Sequence, residues 1–108
     1  MLDKQTTLYL YRGGSTSIDF DFTEFTFASG SKCVFTISNI CKNENLLQFE
    51  FNESKKYTMI ISDEFTATLK DNAYLYNIVY IVGDERYPQC KDSDIIVRNM
   101  VNAYEDNN

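Results

Sequence analysis

The sequence predicts an all-β fold, a sandwich of seven to eight short antiparallel strands, with a small β-barrel as the runner-up. Three observations carry this. Short apolar runs alternate with polar residues along most of the chain. Turn residues recur about every ten positions. Ring side chains are abundant, with eight Tyr and eight Phe in 108 residues, and such residues suit a pleated, half-buried surface. The length is that of one domain. A chain of this size hides roughly two thirds of its unfolded surface, enough for one core without metals or disulfides. Residues 1–103 read as a single domain and 104–108 as a frayed tail.

The first strand is Thr7-Leu8-Tyr9-Leu10-Tyr11, ended by the turn Arg12-Gly13-Gly14-Ser15. Ser17 to Phe22 alternates strictly: Ile18, Phe20 and Phe22 take one face, Asp19 and Asp21 the other. Phe25 and Phe27 lead to a turn at Ser29-Gly30-Ser31. Cys33 to Ser38 is a third strand, followed by a polar loop, then Leu47 to Phe51 and Tyr57 to Ile61. Ser62 to Leu69 breaks the two-residue period, and Ser62 is placed to cap a short helical turn. Lys70-Asp71-Asn72 predicts a turn, with Asn72 suited to a left-handed backbone.

Tyr74 to Val82 is the longest strand candidate. Tyr74, Tyr76, Ile78, Tyr80 and Val82 share one face; Leu75, Asn77, Val79 and Ile81 share the other. Both faces are largely apolar, so this strand is central, or something covers its second face. A hairpin at Gly83 to Arg86 predicts a return strand from Tyr87 to Cys90 and a last strand from Asp94 to Val101. Pro88, the only proline, must lie at an edge, a bulge or a strand start. The strand count suits an immunoglobulin-like β-sandwich.

The formal net charge is −6, which disfavours binding to phosphate backbones. Solubility is its plain reading. Asp3, Lys4 and the short apolar run Leu8–Tyr11 do not make a secretory leader. No run reaches the ~20 apolar residues that span a bilayer. Synthesis and folding in a cytoplasm are therefore expected, with no membrane partner. Cys33, Cys41 and Cys90 are odd in number and lack CxxC spacing, so three reduced thiols are expected.

The chain has no His, which removes Ser-His-Asp triads, Cys-His dyads and His-based metal sites. No glycine-rich phosphate loop opens a helix. Asp19, Asp21 and Glu24 lie close enough to flank a hard cation such as Ca²⁺, or simply form a solvated face. Asp63-Glu64 is a carboxylate pair that suits a helical first turn better than acid–base work. Asp84, Glu85, Asp92 and Asp94 are expected to cluster near the last hairpin, solvated or facing a basic partner. No enzyme activity, cofactor, metal or small-molecule substrate is expected.

The tyrosines give the stronger signal. Tyr9 and Tyr11 share one face of the first strand, and Tyr74, Tyr76 and Tyr80 one face of the longest. Tyrosine is enriched at interfaces because the ring buries area while the hydroxyl keeps a partner. These five are the candidate partner-binding residues, against the alternative that several are core. The strand edges near Tyr9 or Ile96 are candidates for strand addition.

Several short motifs resemble a recurring phage module. They are Phe49-x-Phe51, then Ser62-x-Glu64-x-Thr66-x-x-Leu69, then Tyr74-x-Tyr76-Asn77-Ile78, with Tyr11-Arg12-Gly13-Gly14-Ser15 near the start. The module is similar to the N-terminal, particle-docking domain of siphophage baseplate upper proteins, an immunoglobulin-like domain. The chain departs from that pattern at Gly14, where the module often has Asp, at Asn72-Ala73 in place of Pro-Gly, and at Asn77 in place of Asp. The resemblance implies a phage virion protein, made in the host cytoplasm, that docks on a capsid, tail or baseplate assembly as a homo-oligomer or lattice member. A capsid decoration, a head-fibre base and a tail adaptor all suit it, with other phage structural proteins as partners and no nucleic acid. The acidity alone suggests an alternative, an intracellular phage inhibitor that mimics nucleic-acid charge against a host enzyme.

Overall fold

The computed structural model of the chain describes residues 7–41, 44–70 and 73–99. Seven strands and one short helix follow in the order β1 (Leu8–Arg12), β2 (Thr16–Asp21), β3 (Lys32–Asn39), β4 (Asn45–Phe51), β5 (Lys56–Ile61), α1 (Asp63–Ala67), β6 (Tyr74–Val82) and β7 (Glu85–Asn99). The fold is all-β. The expected turn residues Asp71 and Asn72, the last residues of the domain and the 104–108 tail lie outside the described residues.

Five strands form one sheet in the order β1-β7-β6-β3-β4, and β2 pairs with β5 in a second. β6 is central, as its two apolar faces require. The alternation in β2 buries Ile18 and Phe20 and leaves Asp19 and Asp21 exposed. β5 follows suit, with Met59 and Ile61 buried and Ile60 outward.

Rings hold the two sheets together. Phe20 of β2 lies edge-on to Phe35 of β3 at 5.8 Å and 4.9 Å from Phe51 of β4. Phe35 in turn stacks on Tyr76 of β6 at 5.6 Å. Phe22, just past β2, gathers Phe25, Phe27, Phe51 and Tyr57 within 6 Å. Such pairs add about 0.5–1.5 kcal/mol each beyond the area they bury.

α1 closes one end. The Ser62 hydroxyl accepts from the Phe65 amide at 3.2 Å, the expected N-cap. The buried Thr66 hydroxyl donates to the Gly14 carbonyl at 2.8 Å, and Arg12 reaches the Leu69 carbonyl at 3.2 Å. The helix is thereby tied to the β1–β2 turn. That turn closes through the Gly14 amide on the Tyr11 carbonyl, with Gly13 at φ +79°, the third position of a type II turn that favours glycine.

Two expectations are corrected. The strands are not all antiparallel: β1 runs parallel to β7, with Leu8 opposite Ile95 and Arg12 opposite Asn99. The two lie at opposite ends of the sequence, so no hairpin dictates their relative direction. The return strand and the last strand are one 15-residue strand. Residues 91 and 92 face Asn77, and Gln89 is inserted between the partners of Ile78 and Val79. These bulges break the side-chain period and mimic a chain break. Pro88 sits beside the second bulge, one of the places a strand tolerates proline.

The ring stack sets a test of the core. Phe20→Ala should cost about 3–5 kcal/mol in urea unfolding, while Ile60→Ala, at a side chain 62% exposed, should stay within about 0.5 kcal/mol. Equal losses at both would contradict the packing.

Candidate functional site

The five candidate tyrosines do not form one surface. In β1, Leu10 is fully buried, and Tyr9 and Tyr11 point the other way, 44% and 41% exposed. In β6, Tyr76 is 1% exposed under Phe35, and Tyr74 and Tyr80 pack against the same core. Tyr9 and Tyr11 therefore lie on the outer face of the five-stranded sheet, while Tyr74, Tyr76 and Tyr80 lie on its inner face. Tyr76 is enclosed by its own chain and leaves the partner-facing set.

The hydroxyls explain why tyrosine can face inward here. Tyr74 Oη accepts from the Lys70 amide at 2.8 Å. Tyr80 Oη accepts from the Ala28 amide and donates to Ser31 Oγ, both at 3.0 Å, and Ser31 Oγ donates to the Ala28 carbonyl at 2.7 Å. Tyr57 Oη accepts from the Glu53 amide at 3.0 Å. Each ring fills the core while its hydroxyl satisfies a loop amide at the rim.

The surface left open is the other side of β6. Leu75, Asn77, Val79 and Ile81 point outward and are partly exposed. Their neighbours follow from the register. Val34 on β3 and Pro88 on β7 flank Val79. Lys32 and Arg86 flank Ile81, and Ser38 and Asp94 flank Leu75. On β4, Glu50 lies opposite Val34 and Gln48 opposite Thr36. The part of this face from Asn77 to Ile81, with its β3 and β4 neighbours and Arg86, shapes a shallow depression of about 350 Å³, and Leu75, Pro88 and Asp94 lie outside it. Val34, Val79 and Ile81 supply its apolar part, and Lys32, Glu50, Gln48 and Arg86 its polar surround. Lys32 pairs with Glu50 at 3.1 Å, and Gln48 donates to Thr36 Oγ1 at 3.1 Å.

At the far side of the sheet the face continues onto β1. Tyr9 lies beside Ile96 and Tyr11 beside Arg98. The Arg98 guanidinium stands over the Tyr9 ring at 5.0 Å, a cation–π contact. Tyr9 and Ile96 are paired with each other, so the edge at Ile96 is occupied by β1 and only the outer edge of β1 remains for strand addition.

The other candidates resolve differently. The Asp21 carboxylate accepts from the Thr23 hydroxyl at 2.6 Å and the Thr23 amide at 2.9 Å, and these bonds lower its pKa. Asp19 accepts from Thr58 Oγ1 at 2.9 Å. Among the described residues, no group of three Asp, Glu, Cys or His side chains is placed to hold a metal ion. Asp63 and Glu64 occupy the first turn of α1. The acidic set on β7 is split: Asp84 and Glu85 lie at the hairpin, and Asp92 and Asp94 lie most of a strand away. Asn77 Nδ2 donates to Asp92 at 3.1 Å. Cys33 and Cys90 are buried and Cys41 is exposed, all three as thiols. Among the described residues, no helix is long and apolar enough to cross a membrane.

Compared with protein-family models, curated proteins and solved structures, the chain matches none.

Two expectations follow for these side chains. Tyr80→Phe keeps the ring but removes the acceptor of the exposed Ala28 amide and the donor to Ser31 Oγ, so thermal or urea unfolding should show a loss of about 0.5–1.5 kcal/mol. No loss would mean the hydroxyl is not what holds the loop. Burial pushes the Cys33 thiol up to about 11 from 9.0. The unfolded chain releases this proton first, so the contribution is intact below pH 9 and declines as pH rises towards 11. The stability difference between the parent and Cys33→Ala should shrink across that interval. A difference constant with pH would refute the assignment.

Proposed function

We propose that this chain is a non-catalytic docking module of a phage virion, built as an immunoglobulin-like sandwich. It binds other particle proteins through the outer face of the five-stranded sheet, with the β1 edge beside it. The observation that carries the reading is the aliphatic band Leu75–Val79–Ile81, left partly exposed on the central strand. A central strand is the most rigid part of a sheet. An apolar band there, ringed by polar side chains, has the composition of an interface rather than of a solvated face.

The immunoglobulin-like assignment is supported by three features. The strand order sets β2 with β5 and gathers β3, β4, β6 and β7 opposite them, the division between the B–E and C–F–G sheets of that fold. Tyr74, at the start of β6, bonds back to the Lys70 amide across the corner after α1, the geometry of a tyrosine corner. Two residues on, Tyr76 stacks on Phe35, and Phe35 meets Phe20. On this reading Tyr76, Phe35 and Phe20 are the counterparts of the cysteine, tryptophan and cysteine of antibody domains. The phage assignment rests on motifs that resemble the baseplate module, the Ser62–Leu69 segment and Tyr74-x-Tyr76-Asn77-Ile78, the latter with Asn77 where the module has Asp. Many copies in a lattice bind together, so a modest face suffices for each.

Mass spectrometry of gradient-purified particles from a phage encoding this chain tests the reading. The parent chain should be present at structural-protein abundance. A folded Val79→Lys chain should be depleted at least about tenfold, a loss of about 1.4 kcal/mol per contact. Particles that lack the parent chain would overturn the proposal.

A further inference from the structure

The charges around the outer face are not scattered. On β6 the face runs from Leu75 to Ile81, six residue steps or roughly 20 Å by strand rise. At the Ile81 end both flanking side chains are basic, Lys32 on β3 and Arg86 on β7. At the Leu75 end the β7 neighbour is Asp94, with Asp92 close by, facing Asn77 from the bulge. Between the two ends lie the aliphatic Val34 and Val79. Glu50 pairs with Lys32 at 3.1 Å and offsets its charge, so Arg86 carries the basic character of this end.

We infer that the occupant of this face is a second copy of the chain. The two sheets pack face to face about a two-fold axis that lies between them and crosses β6 near Val79. That axis reverses strand direction. It lays β7 over β7, sets Arg86 of one copy over the Asp92–Asp94 end of the other, places Lys32 over the Thr36–Ser38 end of the other copy's β3, and brings the two Val79 bands together. An axis along the strands would place basic end on basic end and acidic end on acidic end, so the charge order selects the first arrangement. A uniformly basic or acidic partner matches only half of the face. A reversed copy pairs base with acid at both ends of β7, which is the self-complementarity an isologous interface requires. The inference rests on the proposed docking role of this same face and names its partner.

The patch is small. Four strands ~4.8 Å apart over ~20 Å give on the order of 300–400 Å² per copy in projection, below the ~1,000 Å² in total that a stable interface clears, so the association is weak and transient. The net charge of −6 adds general repulsion. The pair should therefore form in the micromolar range.

Sedimentation velocity from roughly 1 to 300 µM reads this out. The parent should pass from monomer to dimer. Arg86→Glu alone and Asp94→Lys alone should each weaken the dimer by about tenfold or more, and the double exchange should restore it to within about threefold of the parent. Within one chain the two positions lie roughly 20 Å apart, well beyond a Debye length, so rescue reports a contact between copies. Circular dichroism and melting of each variant verify folding. A parent that stays monomeric, single variants without effect, or a double exchange without rescue overturns the inference. The docking reading fails separately. A monomeric chain that still enters particles and is lost on Val79→Lys keeps that reading with another occupant. A dimeric chain missing from particles keeps the dimer and removes the virion role.

Discussion

Phe20, Phe35 and Tyr76 form the continuous stack that joins the two sheets, and the outward face of the molecule is a consequence of it. Side chains on a strand alternate, so once Tyr76 is beneath Phe35, Leu75, Asn77, Val79 and Ile81 must point away. A slip of one residue in β6 would exchange the two sets. The stack alone leaves that exchange conceivable, since both sets are largely apolar. The hydroxyls remove the ambiguity. Tyr74 and Tyr80 each find a loop amide only when turned inward. Inverting the strand would break those hydrogen bonds and set Leu75, Val79, Ile81 and the polar Asn77 against an aromatic layer built for rings.

The same geometry explains which parts of the fold were legible in the sequence. Strict alternation in Ser17–Phe22 leads directly to β2, and the doubly apolar Tyr74–Val82 run leads to a central strand, because both signals are local. The helical turn was legible from Ser62 and the lost two-residue period. Two features were not. Nothing local couples Leu8–Arg12 to Ile95–Asn99, so the parallel pair at the sheet edge is invisible until the chain is folded. The bulges at Gln89 and at residues 91–92 reset the alternation in β7, so one strand reads as two. The candidate surface was half legible. The pattern correctly grouped Leu75, Asn77, Val79 and Ile81 on one side of β6. Which side meets solvent depended on Lys70, Ala28 and Ser31, residues of the loops whose amides and hydroxyl hold the tyrosines. Tyrosine's preference for interfaces and its aptitude for core rims give the same composition, and only the position of its partner separates them.

Whether the molecule is used by its faces or by its edges follows from what each edge carries. Between Glu85 and Asp94, the side of β7 away from β6 carries no β1 partner, since the β1 register begins at Ile95. That stretch holds Pro88 and both bulges, which twist a strand and remove a donor, and so blunt it against strand addition. β4 presents Gln48 and Glu50 on its outer face, tied to Thr36 and Lys32, and a charged side chain on an edge strand discourages strand addition. β1 is the edge without such devices, and there Tyr9 lies under Arg98, its ring shared with a cation of its own sheet. The edges of the five-stranded sheet are thus guarded or partly engaged, while the polar group in the band over β6, Asn77, already donates to Asp92, and Leu75, Val79 and Ile81 beside it are aliphatic. Burying apolar area there removes water from side chains that make no hydrogen bonds, at roughly 25 cal/mol per Å². Burying an edge would first require a partner strand of matching register. The face is the part of this surface where association meets the smallest opposing cost, and the charged residues at its two ends then decide only the orientation.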